Sequence, residues 1–228
     1  MNPKLITKDN SLNVLNRIRI NTNIDNAIEY NKILYLFAPI AWGKTTTLKN
    51  YVNSCKDNVE WFDLNDKSIS IKELYTACDN LKTIIVLDNF QEVKDKRFSN
   101  KLLKFIKKSP QYYKFIILAR NKTPVYFSEF IVNGQIKILT AEDLSFTQAE
   151  IKEFYLENGI ELNNSEIKKI SHYTEGWPAV MAIILMLLKV NSSVSNLINE
   201  TNEYIENFIE ENIWGKWDDK YKNFFVII

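Results

Sequence analysis

Residues 33–48 read ILYLFAPIAWGKTTTL, and this stretch decides the fold. An apolar run of five residues leads into a turn of small residues, and Gly43 and Lys44 then precede three threonines. The order predicts a buried strand, a tight loop and the start of a helix. This is the arrangement of a phosphate-binding loop, in which successive backbone N–H groups and a helix N-terminus face an anion.

Each position of this loop has an expected task. Lys44 would reach the β- and γ-phosphates, and the Thr45 hydroxyl would complete the shell of a Mg²⁺ ion. Gly43 lets the backbone approach the phosphates without a Cβ in the way. The residues expected to contact a nucleotide are Ala38, Pro39, Ile40, Ala41, Trp42, Gly43, Lys44, Thr45 and Thr46.

The loop departs from the usual pattern at two positions. The motif G-x-x-x-x-G-K-[ST] has glycine where this chain has Ala38. The second position is Ala41, where a related loop would prefer glycine. If this position requires a positive φ, its methyl group costs about 1–2 kcal/mol, and the affinity for a nucleotide falls about tenfold. The alternative is a plain strand-to-helix turn that happens to carry a lysine.

Composition narrows the possible functions. The 228 residues include 29 basic and 28 acidic ones, so the net charge of +1 gives no support to nucleic-acid binding by the chain as a whole. Cys55 and Cys78 lack metal-ligand spacing, and His172 is the only histidine, which argues against zinc chemistry and cysteine or serine triads. The apolar run 179–188 is too short to cross a bilayer. With no signal-peptide pattern at the N-terminus, we expect a cytoplasmic protein without a membrane partner.

The first part of the chain alternates strands and helices. A helix over 11–20 capped by Ser11 comes first, followed by a loop over 21–31 or a weak helix over 24–30. The alternation that follows predicts a right-handed parallel α/β sheet of about five strands, flanked by helices. The predicted strands are 33–37, 59–64, 83–89, 115–120 and 135–139, and the predicted helices are 44–54, 71–81 and 96–108.

Beyond residue 140 the pattern predicts only helices, as in a small bundle. Thr147 and Glu150 form a capping box that opens a helix. The expected helices cover 147–158, 163–174, 179–189 and the acidic amphipathic stretch 197–213. The expected domains are 1–32 (an arm and a short helix), 33–140 (nucleotide binding), 141–213 (helical bundle) and 214–228 (the start of a further domain).

Two charged residues end predicted strands. Asp88 and Arg120 each follow a long apolar run, so both would lie at the carboxyl edge of the sheet, where ligands bind. Asp88 would hold Mg²⁺ and Arg120 would sense or stabilise the γ-phosphate. The alternatives are an acid that merely ends its strand and a surface arginine paired with a neighbour.

Five blocks of sequence together resemble the STAND class of signalling ATPases, and in particular the nucleotide-binding module of MalT-like, LuxR-family transcriptional regulators. The blocks are 38–47, 87–90, 118–120, 144–147 and 175–179. The resemblance implies an AAA-like P-loop ATPase domain with five parallel strands, then a helical bundle and a winged-helix domain. It also implies a signal-transduction switch that holds ADP at rest and exchanges it for ATP, which licenses self-association and transcription activation.

The resemblance assigns roles to individual residues. It makes Lys44, Thr45 and Thr46 contacts to phosphate and Mg²⁺, Asp88 the Walker-B acid and Arg120 the sensor. Pro178, in Gly176-Trp177-Pro178, resembles a proline that packs on the nucleotide from the helical bundle; the alternative is a simple helix break with a core tryptophan. DNA would be bound only through regions outside this chain.

Asn89 leaves the chemistry open, because it replaces an acid that often follows the Walker-B aspartate and an amide cannot take a proton from water. We therefore expect an ATP/ADP switch with slow or negligible hydrolysis. The first alternative is a degenerate, nucleotide-free interaction module, in line with Ala38 and Ala41. The second is a small P-loop phosphotransferase, which the absence of arginine after Arg120 disfavours.

Overall fold

The computed structural model describes residues 13–76, 83–190 and 197–212. These fall into two compact units, one of residues 16–145 and the other of residues 13–15 together with those from 146 onward. The first unit contains strands β1 (Ile33–Phe37), β2 (Asn58–Asp63), β3 (Thr83–Asp88), β4 (Lys114–Ala119) and β5 (Ile136–Leu139). Its helices are α1 (Ile18–Tyr30), α2 (Lys44–Ser54), α3 (Ile71–Thr76), α4 (Lys96–Lys108), α5 (Ser128–Val132) and α6 (Ala141–Leu144).

The five strands form one parallel sheet in the order β2-β3-β4-β1-β5. This confirms the α/β fold with a parallel sheet of five strands. All residues of β3 are buried, and so are the last five of β4, because continuous aliphatic runs suit strands covered on both faces. The edge strands β2 and β5 are partly exposed, in keeping with their mixed sequences.

Helices cover both faces of the sheet and create two apolar cores. On one face α1 and α2 pack through Ile24 and Leu48 against residues such as Leu36 of β1. On the other face α3 and α4 pack through Leu74 and Phe105, together with residues that follow β4. Side chains along each strand alternate between these two cores, as the pleat requires.

The first helix differs from its prediction. The sequence suggested a helix over 11–20, then a loop over 21–31 or a weak helix over 24–30, whereas α1 runs without a break from Ile18 to Tyr30. Ile20, Ile24 and Ala27 are spaced by four and three residues, so they form one buried face that packs on the sheet. The asparagines that suggested a loop are not among its buried residues, so burial of this apolar face outweighs their low helix propensity.

The second unit is helical. It contains α7 (Gln148–Glu157), α8 (Asn164–Thr174), α9 (Pro178–Val190) and α10 (Leu197–Asn212). Thr147 and Asn163 cap α7 and α8 through reciprocal capping boxes, the first of which confirms the prediction at Thr147. Ile151, Tyr155 and Met181 lie in its core, and the Tyr155 hydroxyl donates to the Met181 carbonyl at 3.0 Å.

Several sequence predictions concern residues outside those that the structure describes. These are the cap at Ser11, Cys78, the last part of the helix predicted over 71–81, Ile213 and the segment 214–228. No helix among the described residues combines the length and the apolarity needed to cross a bilayer.

Candidate functional site

The strand order implies a ligand-binding crevice at the carboxyl edge of the sheet, between β1 and β4. The chain leaves β1 toward α2 on one face, whereas it leaves the neighbouring β4 toward Phe127 and Phe130 on the other. Ligands of open α/β sheets bind where adjacent connections diverge in this way. The loop of residues 38–43 and Arg120 both lie at this point.

The loop between β1 and α2 has the backbone of an anion-binding turn. Gly43 has φ +71° and precedes the first residue of α2, while Ala41 has φ +63°. The positive φ at Ala41 is the strained conformation that the sequence anticipated. Ala38, the other departure from the motif, is fully buried, and its φ is not positive. An alanine therefore suits that position.

Lys44 lies over this loop. Its Nζ donates to the carbonyl oxygens of Ala38 at 2.7 Å and Pro39 at 2.8 Å. Burial lowers the pKa of Lys44 to about 8, and the Arg120 cation lowers it further, whereas the Asp88 carboxylate opposes the shift. The ammonium group is thus within electrostatic reach of both charges.

Thr45 and Asp88 meet across the crevice. The Thr45 hydroxyl donates to Oδ2 of Asp88 at 3.0 Å, and Oδ1 of this buried carboxylate accepts from the Asn89 backbone at 2.8 Å. One hydroxyl and one carboxylate suit Mg²⁺, which is usually bound by one or two protein oxygens plus substrate phosphates. No group of three or more His, Cys, Asp or Glu side chains suited to a metal ion occurs in the described parts of the chain.

The remaining predicted loop contacts lie nearby. Thr46 is exposed in the first turn of α2, and Trp42 is partly buried against the core beneath that helix. Arg120 is exposed at the end of β4, which separates β1 from β3 in the sheet. Its backbone N–H donates to Oε1 of Gln91 at 3.2 Å.

A chain of side-chain hydrogen bonds along this edge was not predicted from the sequence. The Asn89 side-chain amide donates to Oδ1 of Asp63 at 2.9 Å and accepts from the Gln91 amide at 3.2 Å. Gln91 in turn accepts from Arg120, so the chain links the ends of β2, β3 and β4. Asp63 ends its strand as Asp88 does, and this position was the one signal available in the sequence.

Three aromatic rings lie below the two loops at this edge. The Tyr35 ring contacts Phe90 with centroids 6.3 Å apart and Phe127 at 6.1 Å, and these two rings are 5.9 Å from each other. The Tyr35 hydroxyl also donates to the Asn121 carbonyl at 3.2 Å. The loop after β3 and the loop after β4 therefore rest on one residue of β1.

Pro178 lies in the helical unit, at the first position of α9, where a missing N–H costs nothing. The neighbouring Trp177 is partly buried against the core of that unit and meets the Phe208 ring edge-on at 6.4 Å. The Phe146 N–H donates to the Gly176 carbonyl at 3.0 Å, which ties this break to the start of the unit. A contact between Pro178 and a nucleotide stays a prediction.

These features define the class of fold. The sheet is parallel, a loop with Gly43 and Lys44 follows β1, and the Thr45 hydroxyl donates to the aspartate that ends β3. This is the fold of Walker-type P-loop ATPases. Among solved structures, a Walker-type ATPase of Pyrococcus abyssi superimposes with a TM-score of 0.66, at 13% identity, over 89% of this chain and 75% of that one.

More specific likenesses point to the STAND class. A STAND protein with a tetratricopeptide-repeat sensor from Pyrococcus horikoshii superimposes with a TM-score of 0.53, at 15% identity, over 82% of this chain and 32% of that one. The HTH-type transcriptional regulator AlkS of Pseudomonas putida is 22% identical over 152 residues, which cover 66% of this chain and 16% of AlkS.

The HTH-type transcriptional regulator MalT of Klebsiella pneumoniae is 17% identical over an alignment of 258 positions, covering 92% of this chain and 28% of MalT. The chain thus spans less than a third of the length of these regulators. A scan against protein-family models finds no match. The likenesses confirm the resemblance to STAND-class ATPases and MalT-like regulators that the motifs indicated.

Proposed function

We propose that this chain is the ATP/ADP-binding switch module of a STAND-type transcriptional regulator, with slow or negligible ATP hydrolysis. The observation that carries the proposal is the grouping of Lys44, Thr45 and Asp88 around one loop. The two Lys44 hydrogen bonds and the bond between Thr45 and Asp88 bring a cation, a hydroxyl and a carboxylate to the crevice where such sheets bind ligands.

Each group would serve a nucleotide in a defined way. Backbone amides of residues 40–43 would surround the β-phosphate, and Lys44 would exchange its carbonyl partners for phosphate oxygens. Thr45 and Asp88 would hold Mg²⁺, which neutralises phosphate charge. Arg120 stands close enough to Lys44 to lower the pKa of that lysine, which suits a residue that senses the γ-phosphate.

The switch would be read out beyond this site. Pro178 would pack on the nucleotide and couple the helical unit to its phosphorylation state. In the ATP state the protein would associate with copies of itself, and DNA would be bound through regions outside this chain. Regulators of this kind act in the cytoplasm, which is the location we propose.

Thermal melting with and without Mg-ATP or Mg-ADP tests nucleotide binding. A ligand at a hundred times its dissociation constant adds about 2.7 kcal/mol to the free energy of unfolding, which raises Tm by several degrees. Lys44→Ala should abolish the shift. Lys49→Ala is the matched control, since Lys49 is an exposed residue of α2 whose ammonium lies over the Trp61 ring.

The competing candidate is a nucleotide-free interaction module. The positive φ of Ala41 favours it, because a loop that never binds phosphate does not need its most favourable conformation. In that case neither nucleotide would shift Tm, and Lys44→Ala and Lys49→Ala would behave alike. Multiple turnover above about one per second, the range of ordinary enzymes, would instead contradict the switch.

A further inference from the structure

We propose that Asp63 is the proton acceptor for the water that attacks ATP in this site, in place of the acid missing at Asn89. The inference rests on the proposed nucleotide binding and goes beyond it. It predicts hydrolysis that is slow but measurable, and it assigns the reaction to a residue on the edge strand β2.

The sheet places Asp63 beside the Walker-B position. Asp63 and Asp88 are partners in the parallel register of β2 and β3, so their side chains leave the sheet on the same side. Two residues earlier, Trp61 and Val86 both join the core beneath α2. Asp63 therefore continues the row on the face of α2, the face on which Asp88 meets Thr45.

The Asp63 carboxylate is held by neighbouring hydrogen-bond donors and is open to solvent. The Asn89 amide at 2.9 Å and the Asn65 backbone N–H at 3.0 Å both donate to Oδ1. Asp63 is exposed, so solvent reaches its carboxylate. Hydrogen bonds from the Asn65 backbone, the Asn89 amide and the Asn65 side chain hold the pKa of Asp63 below its usual range.

Asn89 explains why the acceptor stands one strand away. Its side-chain amide is bonded at both ends, to Asp63 and to Gln91, and it cannot accept a proton. By fixing the carboxylate beside Asp88, Asn89 serves as a positioning residue. The arrangement keeps a base at the edge of the sheet even though the usual position has none.

The proposed step is an in-line displacement on the γ-phosphorus. The water oxygen forms the new P–O bond, and the bond between the γ-phosphorus and the bridging oxygen breaks, with its electron pair leaving on ADP. The proton of the water goes to the carboxylate of Asp63 and then to solvent. The products are ADP and inorganic phosphate, and no further reactant is needed.

Single-turnover hydrolysis of Mg-ATP tests this assignment in the whole chain. Asp63→Asn should lower the hydrolysis rate at least tenfold while the dissociation constants of ATP and ADP change less than twofold. Asp63→Glu should restore part of the rate, which a merely structural role of this residue would not require. Asp66→Asn is the matched control, since Asp66 is an exposed acid of the same loop that accepts from the Ser68 N–H at 2.8 Å.

The outcomes separate this inference from the proposed function. If ATP binds but is not hydrolysed, or if Asp63→Asn hydrolyses it at the unsubstituted rate, Asp63 is not the acceptor and the switch proposal stands. If the unsubstituted chain binds neither ATP nor ADP, both proposals fail. Melting curves of each variant without nucleotide show whether a lost rate reflects lost folding.

Discussion

The Thr45 hydroxyl donates to the Asp88 carboxylate at 3.0 Å, although one strand, β4, separates β1 from β3 in the sheet. The first turn of α2 thus lies against the end of β3, and the predicted phosphate loop and the predicted Walker-B acid lie side by side. Each of the two motifs is weak evidence on its own. Their direct hydrogen bond is what makes a magnesium-nucleotide site a sound proposal.

Asp88→Asn should remove the effect of Mg²⁺ on nucleotide binding, because an amide is a poor magnesium ligand. Isothermal titration of ADP with Mg²⁺ or with a chelator measures the effect as a ratio of two dissociation constants. Thr45→Ala should act in the same way. The double variant should lose little more of the Mg²⁺ effect than either single variant, because the effects of substituting two residues in contact are not additive.

Thr47→Ala, in the same turn of α2, provides the control for that experiment. It should keep the Mg²⁺ effect of the unsubstituted protein. A strong Mg²⁺ effect that survives in Asp88→Asn would show that the metal is held elsewhere.

Nucleotide affinity should fall above pH 8 because of Lys44. Its pKa is about 8 in the protein, and phosphate favours the protonated form, so binding at higher pH must take up a proton. The dissociation constant should rise by about tenfold per pH unit above 8. Titrations in buffers of different ionisation enthalpy would measure the proton uptake, and an affinity that stays constant from pH 7 to 9.5 would contradict the prediction.

The stability of the nucleotide-free protein should depend on the same group with the opposite sign. Since the pKa of Lys44 is lowered from 10.5 to about 8, the unfolded chain binds more protons between these values. The contribution of Lys44 to the free energy of unfolding therefore rises with pH over this window. Denaturant titrations of the protein and of Lys44→Met should differ in their pH dependence there, and identical slopes would refute the shift.

Ala41→Gly and Ala38→Gly should have opposite effects on stability. Ala41 has φ +63°, so glycine would relieve strain of about 1–2 kcal/mol. About 0.4–1 kcal/mol of this gain in stability would be lost again, because glycine makes the unfolded chain more flexible. Ala38 is fully buried and its φ is not positive. Glycine at this position would lose the contacts of the methyl group and would make the unfolded chain more flexible, and both effects lower stability. Tm should rise by a few degrees at most for the first variant and fall for the second.

Calorimetry with and without ADP would check both glycine variants. Ala41→Gly should also bind ADP more tightly. Ala38→Gly restores glycine at the first position of the motif. If this variant were more stable than the unsubstituted protein, the prediction that the buried Ala38 methyl group stabilises the fold would be wrong.

Arg17→Met should destabilise the α/β unit. The buried Arg17 guanidinium donates to the carbonyl oxygens of Leu144 at 2.7 Å and Ser145 at 2.8 Å, where α6 ends. Methionine would leave these acceptors without the charged donor, at a cost of about 2 kcal/mol, or roughly 4–8 °C in Tm. Arg97→Met, at an exposed position of α4, is the control and should change Tm by less than about 2 °C.

The parallel sheet and its strands could be predicted because local sequence determines them. The aliphatic run that contains Ile85 and Val86 suits a strand buried on both faces, and the structure buries it completely. The start of α1 was wrong because the asparagines suggested a loop or only a weak helix over 24–30, whereas the spacing of Ile20 and Ile24 favours one continuous helix. The short helices after β4 carry too few turns to show a period.

The site was predictable only in part, for a different physical reason. Lys44, Thr45 and Asp88 carry motif signals, and the structure brings them together. The roles of Asn89 and Asp63 depend on which strands are neighbours, and no local pattern states that β2 pairs with β3. Long-range pairing therefore hid the hydrogen bonds that link the strand ends.

The shared contacts of Tyr35 bear on how a signal would spread from the phosphate loop. Phe90 follows Asp88, the proposed magnesium ligand, and Phe127 follows Arg120, the proposed sensor; both rings contact the Tyr35 ring. A shift of either loop must displace the Tyr35 ring, so the loops after β3 and β4 should move together when a ligand binds. Ring-flip rates of Phe90 and Phe127, followed by NMR, would then slow in step when a nucleotide binds.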